Sequence, residues 1–139
     1  MLAAYLAGEL AGKAVLELAC GSAVFSLAAA KWADSVIALD LDDSRLDPRV
    51  SEDAGILFRK ADAADTGLAD KSVDFVLLYN SFYHVKEQWP QIRRECGRIL
   101  RTGGSLYVAA SWKLDKALIQ ECLPDAKPVG EFLLWREQF

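Results

Sequence analysis

At 139 residues the chain is long enough to bury one core, and its 53% hydrophobic and 26% charged content suits a compact α/β domain. The net charge of -4 argues against a basic nucleic-acid-binding surface. No apolar run approaches the about 20 residues that span a bilayer, and the N-terminal apolar stretch lacks a basic flank and meets Glu9 early, so it does not read as a signal peptide.

Leu2, Tyr5, Leu6 and Leu10 share one face and predict a short helix over 2–10, closed by Gly12. A first strand is expected over 14–19, followed by the small-residue turn Ala19-Cys-Gly-Ser-Ala23 and a helix over 23–33 carrying Val24, Leu27 and Ala28. A second apolar run over 35–40 ends on Asp40. Strand, tight turn, helix, strand and acid is the order of a βαβ nucleotide-binding unit. The helix start offers free N–H groups, and the acid can accept both hydroxyls of a ribose.

The N-cap residues of Asp42-Asp-Ser-Arg45 offer a start for a short second helix, which Asp47-Pro48 and the polar run Ser51-Glu-Asp53 make brief or irregular. A third strand over 56–61, with a polar end, belongs at the sheet edge, with Asp62 directly after it. A polar loop over 63–71 leads to a fully apolar strand over 73–79. Asn80-Ser-Phe-Tyr-His84 leaves that strand. The next helix has Pro90 in its first turn and the stripe Ile92, Cys96, Ile99 and Leu100, with Arg93, Arg94, Arg98 and Arg101 as a solvated face. Gly103-Gly104 is expected to stop it before a strand over 105–110, and a last helix over 114–123 ends at Pro124. The tail holds one good strand over 132–135 and at most a stub before Gly130. Alternating strands and helices predict a single domain over 1–139. Its fold is a three-layer, Rossmann-like α/β sheet of six to seven mostly parallel strands with an abbreviated C-terminal antiparallel strand.

Cys20, Cys96 and Cys122 are odd in number, widely spaced and outside any CxxC or Cys/His cluster. This argues against a disulfide framework or a metal site and leads us to expect a cytoplasmic protein with reduced thiols.

Four stretches together resemble the class I S-adenosylmethionine-dependent methyltransferases, of the small type 11 kind. They are Val15-Leu-Glu-Leu-Ala-Cys-Gly-Ser-Ala23, Ile37-Ala-Leu-Asp40, Lys60-Ala-Asp-Ala63 with Ser72-Val-Asp-Phe-Val76, and Arg94-Glu95 through Ile99-Leu-Arg-Thr-Gly-Gly-Ser-Leu106. The match runs from about residue 10 to residue 111. The resemblance implies S-adenosylmethionine as cofactor and contacts from Glu17, Ala19, Gly21, Asp40, Leu41, Asp62, Ala63 and Asn80. It places Asp40 on the ribose and Asp62 on the adenine amino group, with the Ala63 backbone beside the ring. Glu17 either approaches the amino-acid end of the cofactor or is a structural carboxylate bonded to loop N–H groups. Two departures stand out. Ala19 and Ala23 occupy positions where the family often has glycine, and Ala23 is expected to crowd the methionine end or the helix–strand contact. The tail is also shorter than the usual terminal hairpin.

By the same resemblance the reaction is methyl transfer to a small-molecule or macromolecular acceptor that the sequence does not identify. His84, Tyr83 and Asn80, after the fourth strand, are the candidates for proton transfer or acceptor contact; His84 also suits a helix-entry or packing role. Asn80-Ser-Phe-Tyr83 lacks the Asn-Pro-Pro-Tyr of amino-methylating enzymes. Cys20 reads as a small turn residue and not a nucleophile. An apolar rim of Phe82, Tyr83 and Trp112 would serve an acceptor, a homodimer or a partner protein. Two other readings remain: a vestigial cofactor-binding domain that acts by pairing with another protein, and a nicotinamide-dependent Rossmann enzyme, whose glycine fingerprint fails here.

Overall fold

A computed structural model describes residues 1–139. Seven strands form one sheet in the order β3-β2-β1-β4-β5-β7-β6. They are β1 (Ala14–Leu18), β2 (Ser35–Asp40), β3 (Ile56–Lys60), β4 (Val73–Tyr79), β5 (Leu100–Ala110), β6 (Lys127–Val129) and β7 (Phe132–Gln138). The first five run parallel; β7 pairs antiparallel with both β5 and β6. The chain builds outward from β1 through β2 to β3, then returns to add β4 on the other side of β1. A crevice opens at this reversal, outside the carboxyl ends of the strands.

The central strands are apolar on both sides because helices cover both faces. Alternate residues of a strand point to opposite faces. Leu16, Leu18, Val76 and Leu78 therefore pack with α5 (Phe82–Val85), α6 (Trp89–Ile99) and α7 (Lys113–Cys122). Val15, Val36, Ala38, Phe75 and Leu77 pack with α1 (Leu2–Tyr5), α2 (Ala7–Leu10), α3 (Val24–Ala29) and α4 (Arg49–Glu52). The same alternation turns Glu17 and Asp40 toward the α3 side, which decides what each of them meets.

Several boundaries differ from the sequence-based expectation. The N-terminal helix is split at Leu6 (φ -92°, ψ 9°) into α1 and α2. Helix α3 ends at Ala29 and not at Ala33, because the next amides bond three residues back, Lys31 N–H to Ala28 O and Trp32 N–H to Ala29 O. The stretch from Asp42 to Arg45 is not helical. Asp42 accepts the Ser44 N–H and hydroxyl, and Asp47 accepts the Arg49 N–H, so α4 starts at Arg49. Strand β5 begins at Leu100, before the two glycines, which lie in a bulge that shifts the β4–β5 register. A Cβ at Gly104 would stand 2.9 Å from the carbonyl oxygens of both Arg101 and Asp74, so this bulge requires glycine. Strand β7 is longer than expected and, with β6, completes a terminal hairpin. No helix is long and apolar enough to cross a membrane.

Candidate functional site

The crevice at the strand tips is a cleft of about 420 Å³. All eight residues expected at the cofactor, Glu17, Ala19, Gly21, Asp40, Leu41, Asp62, Ala63 and Asn80, line it, as does His84. Tyr83 does not. It sits one residue outside, with its ring 3.9 Å from the His84 ring and 5.4 Å from that of Trp112.

The turn between β1 and α3 is built from three left-handed residues, Ala19 (φ 49°), Gly21 (φ 55°) and Ala23 (φ 65°). This backbone is the one that alternating glycines would favour, and two alanines adopt it here at a cost of about 1 kcal/mol each. Ala23 is fully buried beneath α3 and does not line the cleft, which corrects the expectation that its methyl group crowds a ligand there.

Asp40 leaves the end of β2 facing this turn. Its Oδ2 accepts the Gly21 N–H at 2.8 Å and its Oδ1 accepts the Leu41 N–H at 2.7 Å, so the carboxylate is oriented and each oxygen keeps a lone pair. Asp62 is set in the same manner, Oδ1 accepting the Ala64 N–H at 2.8 Å. Leu41, 67% exposed, stands beside the cleft as an uncovered apolar side chain.

Glu17 lies deeper. Its Oε1 accepts the N–H (3.1 Å) and the hydroxyl (2.8 Å) of Ser26 on α3, while Oε2 has no protein partner. Burial pushes this carboxyl up to about 7, opposed by the Ser26 hydrogen bonds and assisted by the nearby Asp40 charge. Burial, with Glu17 and Asp40 close by, also raises the Cys20 thiol, which suits a packed turn residue and not a nucleophile.

On the other side, Asn80 is itself left-handed (φ 53°). Its Oδ1 accepts the N–H groups of Ser111 (2.9 Å) and Trp112 (3.2 Å), and its Nδ2 donates to Ser111 Oγ (3.1 Å). That amide ties β4 to the turn before α7 and has one N–H left for a ligand. Asp115, fully buried on α7, accepts the Tyr83 N–H (2.8 Å) and the Phe82 N–H (3.3 Å) and so fixes α5 against the cleft. Burial raises its carboxyl, and the two amides and the His84 charge oppose the rise. Phe82 is 1% exposed and belongs to the core, a correction to the expected rim; Tyr83 and Trp112 form the rim without it.

Arg45 and Ser81 were not anticipated from the sequence. The Arg45 guanidinium covers Gly21, 3.1 Å from where a Cβ would stand, and it forms no ion pair. It lies in a loop with no periodicity to flag it. Ser81 Oγ is buried in the cleft wall without a hydrogen-bond partner. No three His, Cys, Asp or Glu side chains converge as a metal site would require.

Residues 16–108 match the methyltransferase domain family, about two thirds of the chain. This chain belongs to that family. Among the relatives of this methyltransferase domain is a probable S-adenosylmethionine-dependent methyltransferase of Mycolicibacterium smegmatis, 34% identical over 104 residues, covering 75% of this chain and 40% of the relative. The domain thus spans about two fifths of the length of the curated relatives it matches. A structure of a SAM-dependent methyltransferase from Aquifex aeolicus superposes with a TM-score of 0.76 at 16% identity, covering 96% of this chain and 86% of that one. The phosphoethanolamine N-methyltransferase 1 of Haemonchus contortus, solved with phosphoethanolamine and S-adenosylhomocysteine, gives 0.65 at 23% identity over 75% of this chain and 23% of that one. At these identities the structural likeness speaks for the fold alone.

Proposed function

We propose that this methyltransferase domain binds S-adenosylmethionine in the cleft and transfers its methyl group to an acceptor entering beside α5. The observation that carries this reading is Asp40, a carboxylate held at the tip of β2 by two N–H groups with lone pairs left for a ribose diol. The rest of the donor set suits the same molecule. Asp62 Oδ2 is free for the adenine amino group, and Leu41 flanks the ring. At the turn, Glu17 Oε2 takes the ammonium and the unpaired Arg45 takes the carboxylate of the amino-acid end.

S-adenosylmethionine supplies an electrophilic methyl group: the acceptor lone pair forms the new bond to carbon, and the electrons of the broken C–S bond return to sulfur. The protein's part is to hold the two reactants at attack distance. His84, exposed at the edge of the cleft, is placed to take a proton from an acceptor that must lose one.

Calorimetric titration of S-adenosylmethionine and S-adenosylhomocysteine, with NAD as control, tests this. Micromolar binding of the first two, weakened at least tenfold (about 1.4 kcal/mol) by Asp40→Ala, is the expected result. Absence of binding by the wild type at millimolar ligand, or tighter binding of NAD, would overturn the proposal.

A further inference from the structure

We infer that the methyl acceptor is a ring-bearing, uncharged or cationic small molecule that lies along the aromatic ridge His84–Tyr83–Trp112 and offers a polar atom to the Ser81 hydroxyl. This rests on the cofactor reading above. Three independent features lead to it.

The first is the ridge itself. His84 lines the cleft, the Tyr83 ring lies against it at 3.9 Å and tilted by 35°, and Trp112 follows at 5.4 Å with 52% of its surface exposed. The aromatic surface therefore runs without a break from the cleft outward. The ridge is not mobile decoration: Asp115 holds the Tyr83 amide and Asn80 holds the Trp112 amide. Rigid aromatic faces of this kind recognise flat apolar groups and, through their negative faces, cations.

The second is Ser81. Its side chain is buried in the wall of the cleft, and its hydroxyl lacks any partner. A buried polar group left unpaired is costly, so a ligand that supplies a partner recovers what the free protein loses. Asn80, beside it, spends its oxygen on the Ser111 and Trp112 amides and one of its two N–H groups on Ser111 Oγ.

The third is charge. Glu17, Asp40, Asp42 and Asp62 line the cleft against Arg45 alone. S-adenosylmethionine carries one net positive charge, so the loaded cleft keeps its acidic excess. Arg45, which the cofactor reading assigns to the amino-acid carboxylate, is the one Lys or Arg side chain that lines the cleft. An anionic acceptor is repelled and a cationic one is drawn in.

The test uses three probes that share one ring and differ in charge: 2-phenylethylamine, 2-phenylethanol and phenylacetate. Each is titrated by NMR at pH 7.5 into the protein saturated with S-adenosylhomocysteine. The amine and the alcohol should bind, with phenylacetate at least tenfold weaker. Trp112→Ala should weaken the amine at least threefold and Ser81→Ala should weaken the alcohol, both with S-adenosylhomocysteine affinity held within twofold. Because Ser81→Ala removes an unsatisfied group, its melting temperature should equal or exceed that of the wild type, which separates lost binding from lost folding. Equal or tighter binding of phenylacetate, no probe binding at millimolar concentration, or indifference to Trp112→Ala overturns the assignment. So does a dimer that Trp112→Ala dissociates while probe affinities stay unchanged, since the ridge then serves self-association. Failure of S-adenosylhomocysteine to bind at all is a different result: it overturns the proposed function, and this assignment with it.

Discussion

Glu17→Gln should make the protein more stable at the expense of its cleft. The carboxyl is 2% exposed, and burial raises it from an ordinary 4.5 to about 7. At about 1.4 kcal/mol per pH unit, that difference corresponds to about 3 kcal/mol. The sign follows from which state holds the proton. Between pH 4.5 and 7 the folded protein binds it and the unfolded chain does not, so stability falls as pH rises through this window and stays low above it. Glutamine keeps an oxygen to accept the Ser26 N–H and hydroxyl, has nearly the same volume and carries no charge. Urea denaturation should show Glu17→Gln about 3 kcal/mol more stable than the wild type at pH 8, roughly 10 °C in Tm for a domain of this size. At pH 5, half a unit above the unfolded value, the difference should shrink to about 0.8 kcal/mol. On the cofactor reading proposed above, the same variant should bind S-adenosylhomocysteine less tightly at pH 8, because it loses the carboxylate assigned to the ammonium. A constant stability difference at both pH values, or no difference at either, would refute the buried, proton-binding Glu17.

Glu95 should behave in the opposite sense. It accepts two hydrogen bonds from Arg98 and two from Thr66, and these, Arg98 foremost, hold its carboxyl down at about 2. Its contribution is present above pH 4.5 and lost as pH falls toward 2. Glu95→Gln should cost about 2 kcal/mol at pH 7 by urea denaturation and flatten the acid limb of the profile. Ala19→Gly should relieve a left-handed alanine worth about 1 kcal/mol against about 0.5 kcal/mol of added chain entropy, a net gain of about 0.5 kcal/mol. Ala23→Gly should gain nothing, because it also removes a fully buried methyl group worth about 0.8 kcal/mol. A destabilised Ala19→Gly would show that residue 19 is not left-handed.

The central parallel strands were readable because doubly covered strands carry unbroken apolar runs; Asp40 was readable because it ends such a run, and Asp62 because it comes directly after the edge strand. What escaped depends on partners far along the chain. The extension of β5 through Gly103 and Gly104 follows from a bulge against β4, which no local pattern encodes. Phe82 was assigned to the rim because α5 is only four residues long and shows no period to separate its faces; the buried Asp115 behind it decides the matter. Arg45 reaches the cleft by crossing the turn over Gly21, and its neighbours in sequence are all ordinary loop residues. Ser81 was in plain view after β4, but an unpaired hydroxyl can be recognised only once its surroundings are known.

The turn before α3 has a consequence for how other members of this family are found. Its identity resides in alternating backbone angles at residues 19, 21 and 23, and only one of those residues is glycine. A search keyed to three glycines discards chains such as this one. A filter that admits alanine, serine or asparagine at the outer two positions, and demands an acid at the end of the next strand to receive the central amide, keeps them. Genomes screened by the second rule should yield methyltransferase domains that the first rule leaves uncounted.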